Sequence, residues 1–370
     1  MIRKVILSAA IAALMCSCAG GPMLPSQVET ALLTAKDGDT LVIANGTYAD
    51  QKLSWKGTGA KVVILPQDKG GVVFTGESSL KLSGRGLEVN SLVWKGCPCS
   101  KGAVVEFKDG DSLAFDTRLS ECVIDECNPS RRDVISSYVS LYGKGNRVDH
   151  CSFLGKKSLG VTLLVMLNYT DCLDNHHEID HNHFGPRPVY GSNGAETIRI
   201  GTSQQCMENS RAWLHDNLFD RCNGEVEVVS IKSSENVIEN NRFWECQGVL
   251  ALRHGDRNVA KGNVFVGNGV RNTGGIRIVG EDQQLLGNRF YGVVGTRFFS
   301  PLALMCGVPN SLPNRYMQVK RTILKDNEFY ACSPADMLCG QDFERTLPPV
   351  ETVFENHKVS SELGDVPSYD

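Results

Sequence analysis

Apolar and polar positions alternate along this chain in short bursts, and the bursts recur. A six-residue phrase runs through the body: an apolar residue, two mostly polar ones, Asn or Cys, any residue, then Phe. It reads Val148-Asp-His-Cys-Ser-Phe153, Ile179-Asp-His-Asn-His-Phe184, Leu214-His-Asp-Asn-Leu-Phe219 and Ile238-Glu-Asn-Asn-Arg-Phe243. It returns as Leu285-Leu-Gly-Asn-Arg-Phe290 and Leu324-Lys-Asp-Asn-Glu-Phe329, and with a weaker first residue as Ala260-Lys-Gly-Asn-Val-Phe265. The Phe positions lie 31, 35, 24, 22, 25 and 39 residues apart, so the repeat is 22–25 residues and the longer gaps carry inserted loops. A period of this size predicts a solenoid.

Runs of four to seven residues between the phrases, such as Glu225–Ile231, Val249–Leu252 and Gly275–Val279, are apolar or alternating and bounded by Gly, Asn and Asp. They read as strands, and none has the ten or more residues of 3.6-period pattern that a helical repeat needs. The expectation is an all-β, single-domain, right-handed parallel β-helix over residues 26–370. One Asn or Cys per coil would form an internal ladder and the Phe residues would stack inside. A short helix near Ser26–Ala35 would cap the open end with Val28, Leu32 and Leu33.

The first residues change the compartment. Arg3 and Lys4 precede an apolar run, Val5–Met15, that ends in Cys16-Ser17-Cys18. That is a secretory signal, too short to span a bilayer, and it resembles a bacterial lipoprotein signal with Cys18 as the lipidated residue. Residues 1–18 are therefore read as signal and lipobox and 19–25 as a linker. The protein would be exported and lipid-anchored at the bacterial outer membrane, or periplasmic. An oxidising compartment permits disulfides. Of 14 cysteines, the close pairs Cys97/Cys99 and Cys122/Cys127 are candidates; the plainer expectation is buried small hydrophobes.

Charge enters last. With 38 Lys+Arg against 42 Asp+Glu the chain has a net charge of −4, which excludes a globally basic nucleic-acid binder. The stretch Glu225–Arg321 holds 12 Lys/Arg and 8 Asp/Glu, a local +4 suited to an anionic substrate. Within it, Glu225 and Glu227 alternate with Val226 and Val228, so both carboxylates share one strand face. Two like charges this close are expected to hold a cation, and all-oxygen donors with the Asn193 amide fit Ca²⁺. Lys232 and Arg253 would sit beside them in adjacent coils.

These residues carry a family resemblance. YVSLYGKGNRVDHC (138–151), NHFGPRP (182–188), NGAETIRIG (193–201), GEVEVVSIKSS (224–234), LALRHGDRN (250–258), GGIRI (274–278) and GVPNSLPNRYMQVK (307–320) occur in order. So does an opening coil, Gly38–Tyr48. Together they resemble polysaccharide lyase family six, the alginate lyases and chondroitinase B. The resemblance implies Lys232 as Brønsted base, Arg253 as Brønsted acid, and Asn193, Glu225 and Glu227 as calcium ligands. Arg199, His254 and Arg277, with Tyr142, Arg315 and Tyr316 behind them, would contact substrate.

The implied chemistry is β-elimination on a uronate polymer: the C5 proton leaves, then the C4 oxygen. Calcium at the carboxylate would stabilise the enolate-like transition state. Lysine acts only when neutral, and neighbouring cationic groups favour that form. Guanidinium stays protonated, so Arg253 is expected to stabilise the departing oxygen while water supplies the proton. The expected substrate is alginate, with dermatan or chondroitin sulfate as the alternative; a monomer is expected, with no nucleic acid and no membrane contact beyond the lipid anchor. A β-helix glycoside hydrolase would need a carboxylate pair facing the groove. A non-catalytic glycan binder would have no need of the five-residue set.

Overall fold

The computed structural model describes residues 21–369; the signal and Cys18 lie outside the described residues. From Thr40 to Ser360 the chain winds through short strands that stack coil upon coil, almost all in parallel pairs. Each coil contributes one strand to each of three columns. In the first, Ile198, Val229, Leu250, Ile276 and Leu302 lie in register. In the second, Leu214, Ile238, Ala260, Leu285 and Leu324 do so. In the third, Phe219, Phe243, Phe265, Phe290 and Phe329 follow one another. The architecture is the expected right-handed parallel β-helix, the hand that parallel crossovers take.

The recurring phrase has a physical reading. Its first residue fills the second column, its Phe fills the third, and the Asn or Cys turns the corner between them. Phe rings from 153 to 329 stack at centroid distances of 4.6–5.1 Å, each pair worth about 0.5–1.5 kcal/mol beyond its buried area. At the corner each backbone N–H donates to the amide oxygen of the next coil, from Asn182 through Asn217, Asn241, Asn263 and Asn288 to Asn327, at 3.0–3.1 Å. Cys151 and Cys122 extend this ladder toward the N-terminus and His357 ends it. A second ladder, which sequence reasoning missed, runs at the preceding corner: Thr117, Asn146 and His177, and later Ala212, Asn236, Asn258 and Gln283.

Two expectations are corrected. The N-terminal cap is the 3-10 turn Pro25–Gln27 followed by a helix of only five residues, Val28–Leu32. Val28 and Leu32 are buried as expected, but the helix stops before Leu33, which is 76% exposed and covers nothing. All twelve cysteines among the described residues are free thiols, ten of them buried. Neither candidate disulfide forms; Cys97 instead abuts Cys127 across a coil, its N–H donating to the Cys127 sulfur. Their sequence neighbours lie along one coil, whereas contacts in a solenoid are made between coils.

Candidate active site

The site is built on the outward face of the first column. Ile198 and Ile200 point into the core and are fully buried, so Arg199 between them points out. In the same outward row follow Ser230, Ala251 and Arg277. The strand pair Glu227–Lys232 and Val249–His254 breaks register twice. Glu227 pairs with Val249 but Val229 with Leu250, and Ile231 pairs with Leu252 but Lys232 with His254. Val228 and Arg253 are the extra residues at these two bulges. Bulges re-aim side chains beside them, and here they turn Glu227 and Arg253 over one cavity. Gly201 (φ +89°) ends the neighbouring strand because a Cβ there would lie 2.4 Å from the Lys232 carbonyl oxygen.

The cavity is about 560 Å³ and is lined by Asn193, Glu196, Arg199, Glu225, Glu227, Lys232, Arg253, His254, Arg277 and Tyr316, with Ser203, Phe298 and Asn314 at its edge. One side is acidic. Carboxylate oxygens of Glu196, Glu225 and Glu227 lie within 4.8 Å of one another. Glu225 accepts hydrogen bonds from the Gly194 and Ala195 N–H groups at 2.7 and 3.3 Å. Burial, then the charges of Glu196 and Glu227, push its carboxyl up to about 7. Burial also raises Glu227, but Arg277, Lys232, the Ser230 hydroxyl and Arg253 outweigh it and hold that carboxyl below its ordinary value. Glu227 accepts from Ser230 and from Arg277 Nη2.

The other side is basic. Lys232 Nζ lies 3.6 Å from Glu196 Oε1, and Arg199 Nη1 lies 3.7 Å from the same oxygen. Arg253 is clamped: Nη1 donates to the Arg315 carbonyl at 2.8 Å, Nε lies 3.7 Å from Glu227, and the guanidinium stacks on the Tyr316 ring at 4.4 Å. His254 is 3% exposed, and burial followed by the Arg253 and Lys232 charges drives it down to about 3, so the imidazole is neutral.

The residues fit a hard cation. Three carboxylates share a desolvated pocket, and Glu196 Oε2 is buried with no hydrogen-bond partner. An unpaired, buried carboxylate oxygen is costly unless a cation meets it. Asn193 reaches the same cavity.

Nine of the eleven residues named from sequence for this site meet here; two do not. Tyr142 is 8% exposed and packs with Leu113 and Cys172, with Lys108 over its ring at 4.8 Å and Tyr169 edge-on, outside this cavity. Arg315 offers only its carbonyl; its side chain is exposed and lies 3.7 Å from Glu344. Glu196 was missed as a functional residue. Its signal was a carboxylate three residues before Arg199, among the uncharged Ala195, Thr197 and Ile198 just ahead of the strand Ile198–Gly201.

Comparison with known proteins agrees with this fold. The family model described as Chondroitinase B matches residues 25–362. The alginate lyase AlyGC of polysaccharide lyase family six superposes with a TM-score of 0.86 at 43% identity, over 89% of this chain. The chain belongs to polysaccharide lyase family six, the chondroitinase B family. It spans less than half of the AlyGC chain, 46%. A second family-six structure, a mannuronic acid specific lyase from human gut microbiota, is 31% identical with a TM-score of 0.81, over 90% of this chain and 80% of that one. Pedsa3628 from Pseudopedobacter saltans, 22% identical with a TM-score of 0.80 over 93% and 86% of the two chains, shares the fold. No curated protein matches.

Proposed function

We propose that the chain is a polysaccharide lyase that cleaves alginate by calcium-assisted β-elimination. The observation that carries this reading is a lysine and a clamped arginine on adjacent strands, facing three crowded carboxylates across one cavity. Similarity to an alginate lyase at 43% identity and to a mannuronic acid specific lyase at 31% supports alginate over dermatan or chondroitin sulfate.

Asn193, Glu225 and Glu227 would hold the ion, with Glu196 at their side. Bound calcium neutralises the uronate carboxylate and so makes the C5 proton easier to remove. Arg199 and Arg277 flank that position in the outward row and orient the anionic sugar. Lys232, in its neutral form, takes the C5 proton. Arg253 cannot swing away, because the Arg315 carbonyl and the Tyr316 ring fix it. Burial lowers it from its ordinary value, yet a guanidinium keeps its charge near neutrality. It stabilises the departing C4 oxygen, and water supplies the proton. Neutral His254, buried behind Arg253, offers a hydrogen bond without adding charge.

The test is the product. Incubation with alginate should generate a 4,5-unsaturated sugar that absorbs in the ultraviolet, and dermatan sulfate should give less. Cleavage without that absorbance would identify a hydrolase; no cleavage of any polyuronate would leave a binder. Export and lipidation at Cys18 belong to the same reading, and mass spectrometry of the membrane-extracted protein should find an acylated cysteine at its N-terminus. Among the described residues no helix is long and apolar enough to cross a membrane.

A further inference from the structure

The segment Asn182–Pro188 belongs to the ordered family phrases, yet no residue of it lines the cavity. Its arginine is 3% exposed and makes no ion pair among the described residues. Instead the guanidinium is spent on backbone. Arg187 Nη1 donates to the Glu196 carbonyl at 2.7 Å and to Thr162 Oγ1 at 3.3 Å. Arg187 Nη2 donates to the carbonyls of Ser158 and Gly160, both at 2.9 Å. Gly224 lies against the same side chain: a Cβ there would sit 2.8 Å from Arg187 Nε and 2.1 Å from the Ala195 carbonyl oxygen. The Arg187 backbone pairs with the next coil, its carbonyl accepting from Asn223 N–H at 2.9 Å. One side chain therefore touches both arms that bear the acidic cluster, 193–196 and 224–227.

We propose that Arg187 is a positioning residue of the cation site, setting the spacing of the Glu196 arm against the Glu225–Glu227 arm from beneath. The inference rests on the calcium reading above. A buried charge is tolerated only with its donors satisfied; here one donor ties the Glu196 backbone to residues 158–162, where the others end, while the same side chain packs under Gly224, so both arms are braced against the repulsion of their carboxylates.

Lys156 supplies the control. It follows Phe153 by three residues as Arg187 follows Phe184, one coil earlier, and is 2% exposed. Its Nζ donates to Ser158 Oγ at 2.7 Å, to Ser136 Oγ at 3.3 Å and to the Ser158 and Leu159 carbonyls at 3.4 Å. It shares only the Ser158 carbonyl with Arg187 and touches neither arm.

The experiment is calcium titration calorimetry on the calcium-stripped full chain, with thermal unfolding of each protein alongside. Arg187→Lys keeps the charge and loses the fork; Arg187→Gln keeps two donors and loses the charge. Both should weaken calcium binding by about ten- to hundredfold, the range for groups that orient metal ligands. Turnover of alginate should recover at saturating calcium. Lys156→Met should lower the unfolding temperature and leave calcium affinity at the wild-type value. The proposal is overturned if a folded Arg187 variant binds calcium as tightly as the wild type. It is equally overturned if Lys156→Met weakens calcium as much for the same loss of stability, or if neither Arg187 variant folds, since Arg187 is then a strut of the coil. Wild-type protein that binds no calcium sinks the calcium reading itself, and the inference with it.

Discussion

Among the described residues two clusters of potential metal ligands sit on this solenoid, and they differ in how their oxygens are partnered. Glu196, Glu225 and Glu227 crowd together on the first column; Asp180, His181 and His215 do so on the second. In the second cluster both oxygens of the Asp180 carboxylate and both ring nitrogens of His215 are engaged. Arg147 donates through two nitrogens to Asp180 at 2.9 and 2.7 Å, and His181 Nδ1 lies 2.8 Å from the same carboxylate. His215 lies between Asp216 and Glu178 at 2.7 and 3.2 Å. Burial raises Asp180, and Arg147 with His181 pulls it below its ordinary value. In the first cluster Glu225 is pushed up to about 7 and a Glu196 oxygen has no partner. Proximity of ligating side chains does not make a metal site. A buried carboxylate oxygen left without a hydrogen-bond partner, crowded by two further carboxylates, is where a cation would remove a penalty already present.

The largest effect expected from this contrast is on turnover. Lys232→Ala should lower kcat on alginate by about 10²–10⁴-fold, the range for a lost general base, with the unfolding temperature unchanged. Full activity in that variant would remove Lys232 from the reaction. Next comes calcium: Glu225→Gln should weaken calcium binding by at least tenfold or so, and a chelator should silence the wild type, read as loss of ultraviolet product. Activity that resists chelation would erase the distinction between the clusters.

Asp180→Asn should do the reverse. It breaks a buried ion pair whose Arg147 partner is 35% exposed, so a loss of about 2 kcal/mol is expected, below the fully buried range. Calcium affinity should not move; if it does, the second column is coupled to the site.

The most gradual effect, a slope rather than a step, concerns pH and the second ladder. His177 is fully buried and accepts from the Asn146 N–H at 3.2 Å; burial drives it down to about 3. An unfolded imidazole takes its proton near 6.5 while the folded one stays neutral. The unfolded state therefore binds the extra proton, and stability falls as pH drops from about 6.5 toward about 3, by at most about 1.4 kcal/mol per pH unit. Urea unfolding at several pH values should show this slope, and His177→Asn should flatten it. An unchanged slope would assign it to other groups.

How much of this was legible follows from which contacts repeat. The Phe column and its Asn corner were legible because one residue type recurs at one spacing. The second ladder was not, because Asn146, His177, Asn236 and Gln283 supply the same acceptor through different side chains. Leu33 failed as a cap because helix length, decided by packing on the first coil, stopped one residue short. Tyr142 lies outside the cavity, under a lysine from a neighbouring coil that covers its ring.

By itself the sequence determined the solenoid and its period, and singled out the charged residues that the fold gathers at one cavity. Period-two alternation and one corner amide per coil are local rules, and two carboxylates at Glu225 and Glu227 can be read off the chain without the fold. The tertiary structure alone decided the site. Two bulges turn Glu227 and Arg253 over one cavity, Glu196 enters from the preceding coil, and Arg187 reaches beneath both arms. Those contacts join residues 9 to 50 positions apart through coil stacking and loop closure, and no local pattern in the chain carries that information.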